Sequence, residues 1–109
     1  MCSLVHTMNI IGGKWKPIII YLLSNGSLRF GRLLTFTPTI SKKVLTEQLK
    51  ELEEDGIIIR EKFNEVPPRV EYSLSAKGEA LLPSLKLLSD WAFSSYQEID
   101  FEKCKIVDV

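Results

Sequence analysis

Lys43, Thr46, Glu47 and Lys50 fall on one side of a single stretch when its residues are laid out at about 100° each, with Lys42 at the margin. The face offers ammonium donors for phosphate oxygens and a hydroxyl for base edges, gathered toward its N-terminal end. Ser41, Leu45, Gln48, Leu49 and Leu52 fall on the other side, flanked by Val44. Ser41 is an N-cap residue and Gly56 a stop, so the spacing predicts a helix over 41–55. At about 1.5 Å per residue it is roughly 22 Å long, enough to lie across a major groove. The acids Glu51, Glu53, Glu54 and Asp55 collect at its far end. Lysine and glutamate also solvate the exposed side of any amphipathic helix, so what flanks this one decides its meaning.

Three arginines extend the basic set. Arg29 and Arg32, expected at the start of the preceding helix, are placed to meet phosphate or to form ordinary surface ion pairs. Arg69 follows Pro67-Pro68, whose rings stiffen a loop; it either enters a minor groove or pairs with Glu65 or Glu71. The formal net charge of the 109 residues is zero, which argues against a uniformly basic nucleic-acid binder. A basic face still exists if the fold separates these cations from the acids of 51–55.

Other chemistries find little footing. Cys2 and Cys104 lie near opposite ends of the chain and His6 is the single histidine, too few ligands for a structural metal or a disulfide framework. There is no nucleophile–base pair and no phosphate-cradling loop; Gly12-Gly13 reads as a helix stop. An enzyme and a bound cofactor are therefore not expected. Cys2, near a helix start, is placed for a reactive thiolate, the alternative being an ordinary free thiol; across a dimer it would meet Cys104 or its own symmetry mate.

The elements that position these residues follow from periodicity. Leu4, Met8 and Ile11 predict a short first helix, and Lys14–Ser24 a second that is apolar nearly all round, with Pro17 in its first turn. A short helix over Phe30–Phe36, the connection Thr37-Pro38-Thr39-Ile40 and the helix from Ser41 have the outline of a helix-turn-helix. Ile57–Phe63 and Val70–Leu74 then read as a hairpin, the layout of a winged helix. Ser75 caps a last helix over about Ala76–Ile99, which Pro83 is expected to kink or split.

The fold class expected is mainly α with a small β-hairpin wing, in one domain of residues 1–109. Apolar residues are 45% and charged residues 26%, ordinary for a soluble domain, and no segment nears the roughly 18 apolar residues of a membrane span. The start, Met1-Cys2-Ser3-Leu4, lacks a secretory pattern, so the cytoplasm is the expected location. On the last helix Leu81, Leu85, Leu88, Ala92, Tyr96 and Ile99 form a stripe broadened by Leu82 and Phe93, while Leu87 and Trp91 lie opposite. So wide an apolar surface asks for a second chain, unless the domain's own core absorbs it. The expected homodimer is built by residues 1–12 and 76–99 through Leu4, Val5, Met8, Leu85, Leu88, Trp91 and Ala92. Residues 29–74 carry the helix-turn-helix and wing, and 100–109 a tail. Two reading heads would then face a palindromic site in double-stranded DNA. The alternative is a winged helix used for protein contacts alone.

Several runs in register resemble the HxlR-type regulators, a winged-helix branch related to the MarR group. They are Ile11-Gly12-Gly13-Lys14-Trp15, Arg29-Phe30-Gly31-Arg32-Leu33, Ile40–Thr46, Leu49–Gly56, Val66–Leu74, Lys77-Gly78 and Asp90-Trp91, covering residues 2 to about 93. The resemblance implies a cytosolic homodimeric transcriptional regulator joined by its first and last helices. In it 41–50 reads DNA, 63–69 forms the wing at the minor groove, and a small molecule or oxidant is a possible effector. It also implies that Cys2 stands where some members carry a cysteine that responds to electrophiles, although Ser3 replaces the proline usual after it.

Overall fold

Apolar residues recurring every three or four positions form helices here, and the computed structural model, which describes residues 2–96, shows five of them. They are α1 (Cys2–Ile11), α2 (Trp15–Leu22), α3 (Phe30–Phe36), α4 (Lys42–Glu54) and α5 (Ala76–Ser95). The strands are β1 (Leu28–Arg29), β2 (Ile58–Phe63) and β3 (Arg69–Leu74), in the antiparallel order β1-β3-β2. Cross-strand partners run from Ile58 opposite Leu74 to Phe63 opposite Arg69, so the expected hairpin is present. It is a mainly helical fold with a small sheet, as the periodicity implies.

The core is made by one face from each central element. Ile19 and Ile20 of α2, Leu33 of α3, and Leu45, Leu49 and Leu52 of α4 are all at most 1% exposed. Each contributes roughly 1.5–3 kcal/mol of transfer free energy. On α5, Leu81, Leu82 and Leu85 pack against this cluster from outside.

Three details differ from the periodicity. Leu28–Arg29 pairs with β3 (Leu28 opposite Tyr72, Arg29 opposite Glu71), making three strands where two were expected. Two residues are too short to show a period of two, and Arg29 is thus a strand residue that also precedes α3 in extended backbone. The second helix stops at Leu22, and Leu23–Asn25 is a 3₁₀ turn ending at Gly26. Pro83 does not split the last helix: α5 runs unbroken from Ala76 to Ser95. The cost of an interior proline, about 3 kcal/mol, is offset by Leu81 and Leu82 before it and Leu85 after it, which hold both halves on the core. The first helix agrees with its expected place: α1 starts at Cys2 and ends at Ile11, just before Gly12-Gly13. Ile99, Cys104 and the tail lie outside the described residues.

Two junctions set where α4 and the sheet sit. At the end of α4, Gly56 adopts φ 75°, Ile57 N–H donates to Leu52 O (2.9 Å) and Gly56 N–H to Glu53 O (3.0 Å), a Schellman cap with Ile57 buried beside Leu52. Ser75 caps α5 by accepting from Gly78 N–H (3.1 Å). Its hydroxyl donates back toward the carbonyls of Gly56 (2.6 Å) and Ile57 (2.9 Å). The end of one helix is thereby clamped to the start of another.

Candidate nucleic-acid interface

Ser41 sits at the N-cap of α4 in extended backbone, and its Oγ accepts from Val44 N–H at 3.1 Å. That bond fixes where the first turn begins and hence the direction in which Lys42 and Lys43 project. The connection before it is equally constrained. Ile40 is buried, Ile40 N–H donates to Thr37 O (3.1 Å), and the fully buried Thr37 hydroxyl donates to Leu33 O (2.7 Å). The α3–α4 angle is therefore held by a satisfied polar plug inside an apolar corner.

With Leu45, Leu49 and Leu52 inward, the opposite side of α4 is free: Lys42, Lys43, Thr46, Glu47 and Lys50 are all exposed. Lys42, Lys43 and Lys50 have no ion-pair partner among the described residues. The Thr46 hydroxyl donates to Lys42 O at 2.7 Å. Its proton is spent inside the helix, which leaves toward solvent an acceptor oxygen and a methyl group. Arg29 and Arg32 are exposed and lack an acidic partner among the described residues, the Arg32 guanidinium resting over the Phe36 ring at 5.0 Å.

Arg69 is differently placed. Its guanidinium covers the Phe63 ring at 4.0 Å and lies between Glu65 (3.5 Å) and Glu71 (3.3 Å), with the side chain 28% exposed. Its Nε is buried and off the line of a hydrogen bond to Glu71, so this contact is a charge pair alone. Of the two roles open to Arg69 in the sequence, the paired one is what the geometry displays. Glu71 also accepts from the Ser27 hydroxyl at 2.8 Å, which ties the wing to the segment before β1. Arg60 and Lys62 of β2 are both exposed and have no ion-pair partner among the described residues. Val66, at the tip between the strands, is wholly exposed.

The residues singled out for assembly also separate. Leu4, Val5 and Met8 on α1 and Leu88 and Trp91 on α5 are each more than half exposed, whereas Leu85 and Ala92 are half-buried. Leu87, Phe93 and Tyr96 add to the exposed set, and Tyr96 meets Trp91 edge-on with ring centres 5.4 Å apart. An apolar groove of about 370 Å³ runs between α2 and α5, lined by Pro17, Ile18, Tyr21, Leu85, Leu88 and Ser89. Cys2 is exposed with a free thiol.

Three helices joined by a tight corner, the last of them with a free cationic face, followed by a two-stranded wing, define a winged helix-turn-helix protein of the transcription-regulator type. The sequence model of the HxlR-like helix-turn-helix family matches residues 10–100, and the chain belongs to that family. It is 44% identical over 105 residues to an HTH-type transcriptional regulator of Methanothermobacter thermautotrophicus, a match covering 94% of this chain and 80% of that one. Its fold is similar to that of the redox regulator HypR in its oxidized form, with TM-score 0.83 and 42% identity over 88% of this chain and 99% of that one. It is also similar to the reduced transcriptional regulator YodB of Bacillus subtilis, with TM-score 0.79 and 34% identity over 90% and 96%. The family and these relatives are transcriptional regulators, not enzymes. No helix among the described residues is long and apolar enough to cross a membrane.

Proposed function

We propose that the protein is a homodimeric, cytoplasmic regulator that binds a palindromic operator in double-stranded DNA. In this reading α4 lies in the major groove, and Arg29 and Arg32 meet phosphate. The observation that carries it is the exposed face of Lys42, Lys43, Thr46, Glu47 and Lys50, whose three ammonium groups have no acidic partner among the described residues. Lysines at a helix N-terminal end gain nothing from the helix dipole, so their presence there is better accounted for by phosphate than by folding. The protein-contact alternative lacks an observation of this kind: the polar face of α4 has no exposed apolar anchor beyond Val44, which is 36% exposed at its flank.

Dimerisation is supported by α1, a ten-residue helix of which Ile11 is the buried residue. Isolated helices this short are marginal in water, and a second copy covering Leu4, Val5 and Met8 together with Leu88 and Trp91 supplies the missing packing. Arg69, in this account, shapes the wing through Glu65, Glu71 and Phe63, and Arg60 and Lys62 are the cations the wing offers to DNA.

Cys2 is the residue through which an oxidant or electrophile would act, since it is exposed in the first turn of an assembly helix. HypR, similar in fold, is itself a redox regulator. An electrophoretic shift on the duplex upstream of the protein's own coding region tests both parts. The expected result is a shift that weakens as salt rises and is released by diamide in the wild type but not in Cys2→Ser. No shift at low salt contradicts DNA binding; equal release in both proteins contradicts the role of Cys2.

A further inference from the structure

Lys16 stands in the first turn of α2, two residues before the apolar run that begins at Ile18, yet its charged side chain is only 8% exposed. Its Nζ donates to Glu51 Oε1 at 2.9 Å, a link between α2 and α4 that spans 35 positions of sequence. Glu51 stands one turn beyond Glu47, at the edge between the free face of α4 and the leucines that α4 buries. The Glu51 side chain is 52% exposed, so the pair spans the boundary between core and solvent.

We infer that Lys16 and Glu51 are positioning residues for DNA reading: the pair sets the roll of α4 about its own axis against α2. The inference rests on α4 being the reading helix. Leu45, Leu49 and Leu52 press α4 onto the core, but apolar burial is non-directional and tolerates rotation. A hydrogen-bonded ion pair is directional, and a largely buried ammonium cannot leave its partner cheaply.

The geometry makes roll consequential. A rotation of about 20° moves a side-chain tip roughly 5.5 Å from the axis by about 2 Å. That exceeds the latitude of about 0.5 Å in a hydrogen bond to a base edge. Phosphate attraction changes little over the same distance, because it falls off slowly with separation. The symmetry of a dimer repeats the error in the second α4. Loss of the pair therefore lowers specific binding and leaves non-specific binding in place. Lys16 also precedes Pro17 and Ile18, which line the groove against α5, so the pair connects the reading helix to the element beside the proposed dimer helix.

The two partners can be removed with opposite effects on folding. Lys16→Met replaces a buried ammonium by an apolar chain of similar length and leaves Glu51 to water; its urea midpoint should equal or exceed that of the wild type. Glu51→Ala strands the ammonium, and its midpoint should fall. Binding is read on two duplexes by fluorescence anisotropy, the tightest sequence selected by the wild type from a random pool and a scrambled duplex of the same composition. Both variants are expected to lose about tenfold in the ratio of selected to scrambled affinity, about 1.4 kcal/mol, with the scrambled affinity changed by less than about twofold. A wild-type preference retained in Lys16→Met, or a ratio that follows the midpoint through the two variants, overturns the inference alone. A wild type with no preference for any duplex overturns the reading helix and this inference with it.

Discussion

Replacing Lys43 and Lys50 together by alanine is expected to lower affinity for the selected duplex about a thousandfold. A dimer loses four ammonium groups, and at about 1 kcal/mol each the loss is about 4 kcal/mol, or three decades in the dissociation constant. The second signature is the salt slope. Each phosphate released from a lysine removes about 0.9 from the slope of log affinity against log salt, so the double variant should bind with a slope shallower by about 3–4. Folding should not change, because both side chains are exposed on a helix and neither has an acidic partner among the described residues. Anisotropy titrations over a range of potassium chloride, beside urea midpoints for both proteins, measure the two effects. Equal affinity and equal slope would remove the reading face from α4.

Gly78→Ala is expected to destabilise the fold although it adds a single methyl group. Gly78 is buried in the first turn of α5, and a Cβ there would fall 2.3 Å from the carbonyl oxygen of Ile57 and 3.0 Å from Leu74 Cδ2. Alanine is the better helix former by about 1 kcal/mol, which favours the substitution. The clash is with backbone, however, and that carbonyl already accepts from Ser75 N–H (3.0 Å) and from the Ser75 hydroxyl (2.9 Å). Moving α5 away would break the clamp that joins the end of α4 to the start of α5 and loosen Leu81 and Leu82 on the core. Overpacking of this kind costs about 1–3 kcal/mol, and more where backbone must shift, so the net loss should be about 2 kcal/mol or greater. Thermal unfolding should show it as a drop of roughly 8–16 °C in Tm for a domain of this size. An unchanged Tm would mean that α5 is not held against Ile57 as described.

Most of this architecture is legible in the residues because local signals agree with one another. Ser41 and Gly56 bracket α4, the leucine spacing chooses its inward side, and the sequence turns to strand-forming residues after Gly56. What escapes is what depends on distant partners. Leu28–Arg29 is a strand because β3 lies beside it, and two residues carry no period of their own. Pro83 argues for a break, and the leucines on either side of it outweigh that argument only once the core is assembled. Nothing in the spacing marks Lys16, one residue before Pro17, as buried; its burial accompanies Glu51, which in the sequence stands among the acids at the far end of α4. Arg69 is divided between the two cases: its pairing with Glu65 or Glu71 is one of the roles its neighbours in sequence offer, whereas the Phe63 ring meets it only after β2 and β3 pair in register.

The central claim is that two copies of α4 read DNA together. Selection of bound sequences from a pool of random duplexes, with the full-length protein at moderate salt, returns site, symmetry and spacing at once. An inverted repeat with half-sites centred about one helical turn apart, some 34–36 Å, is the result expected of a two-fold dimer. A pool that enriches no sequence, or one that enriches an unrepeated element, would contradict it.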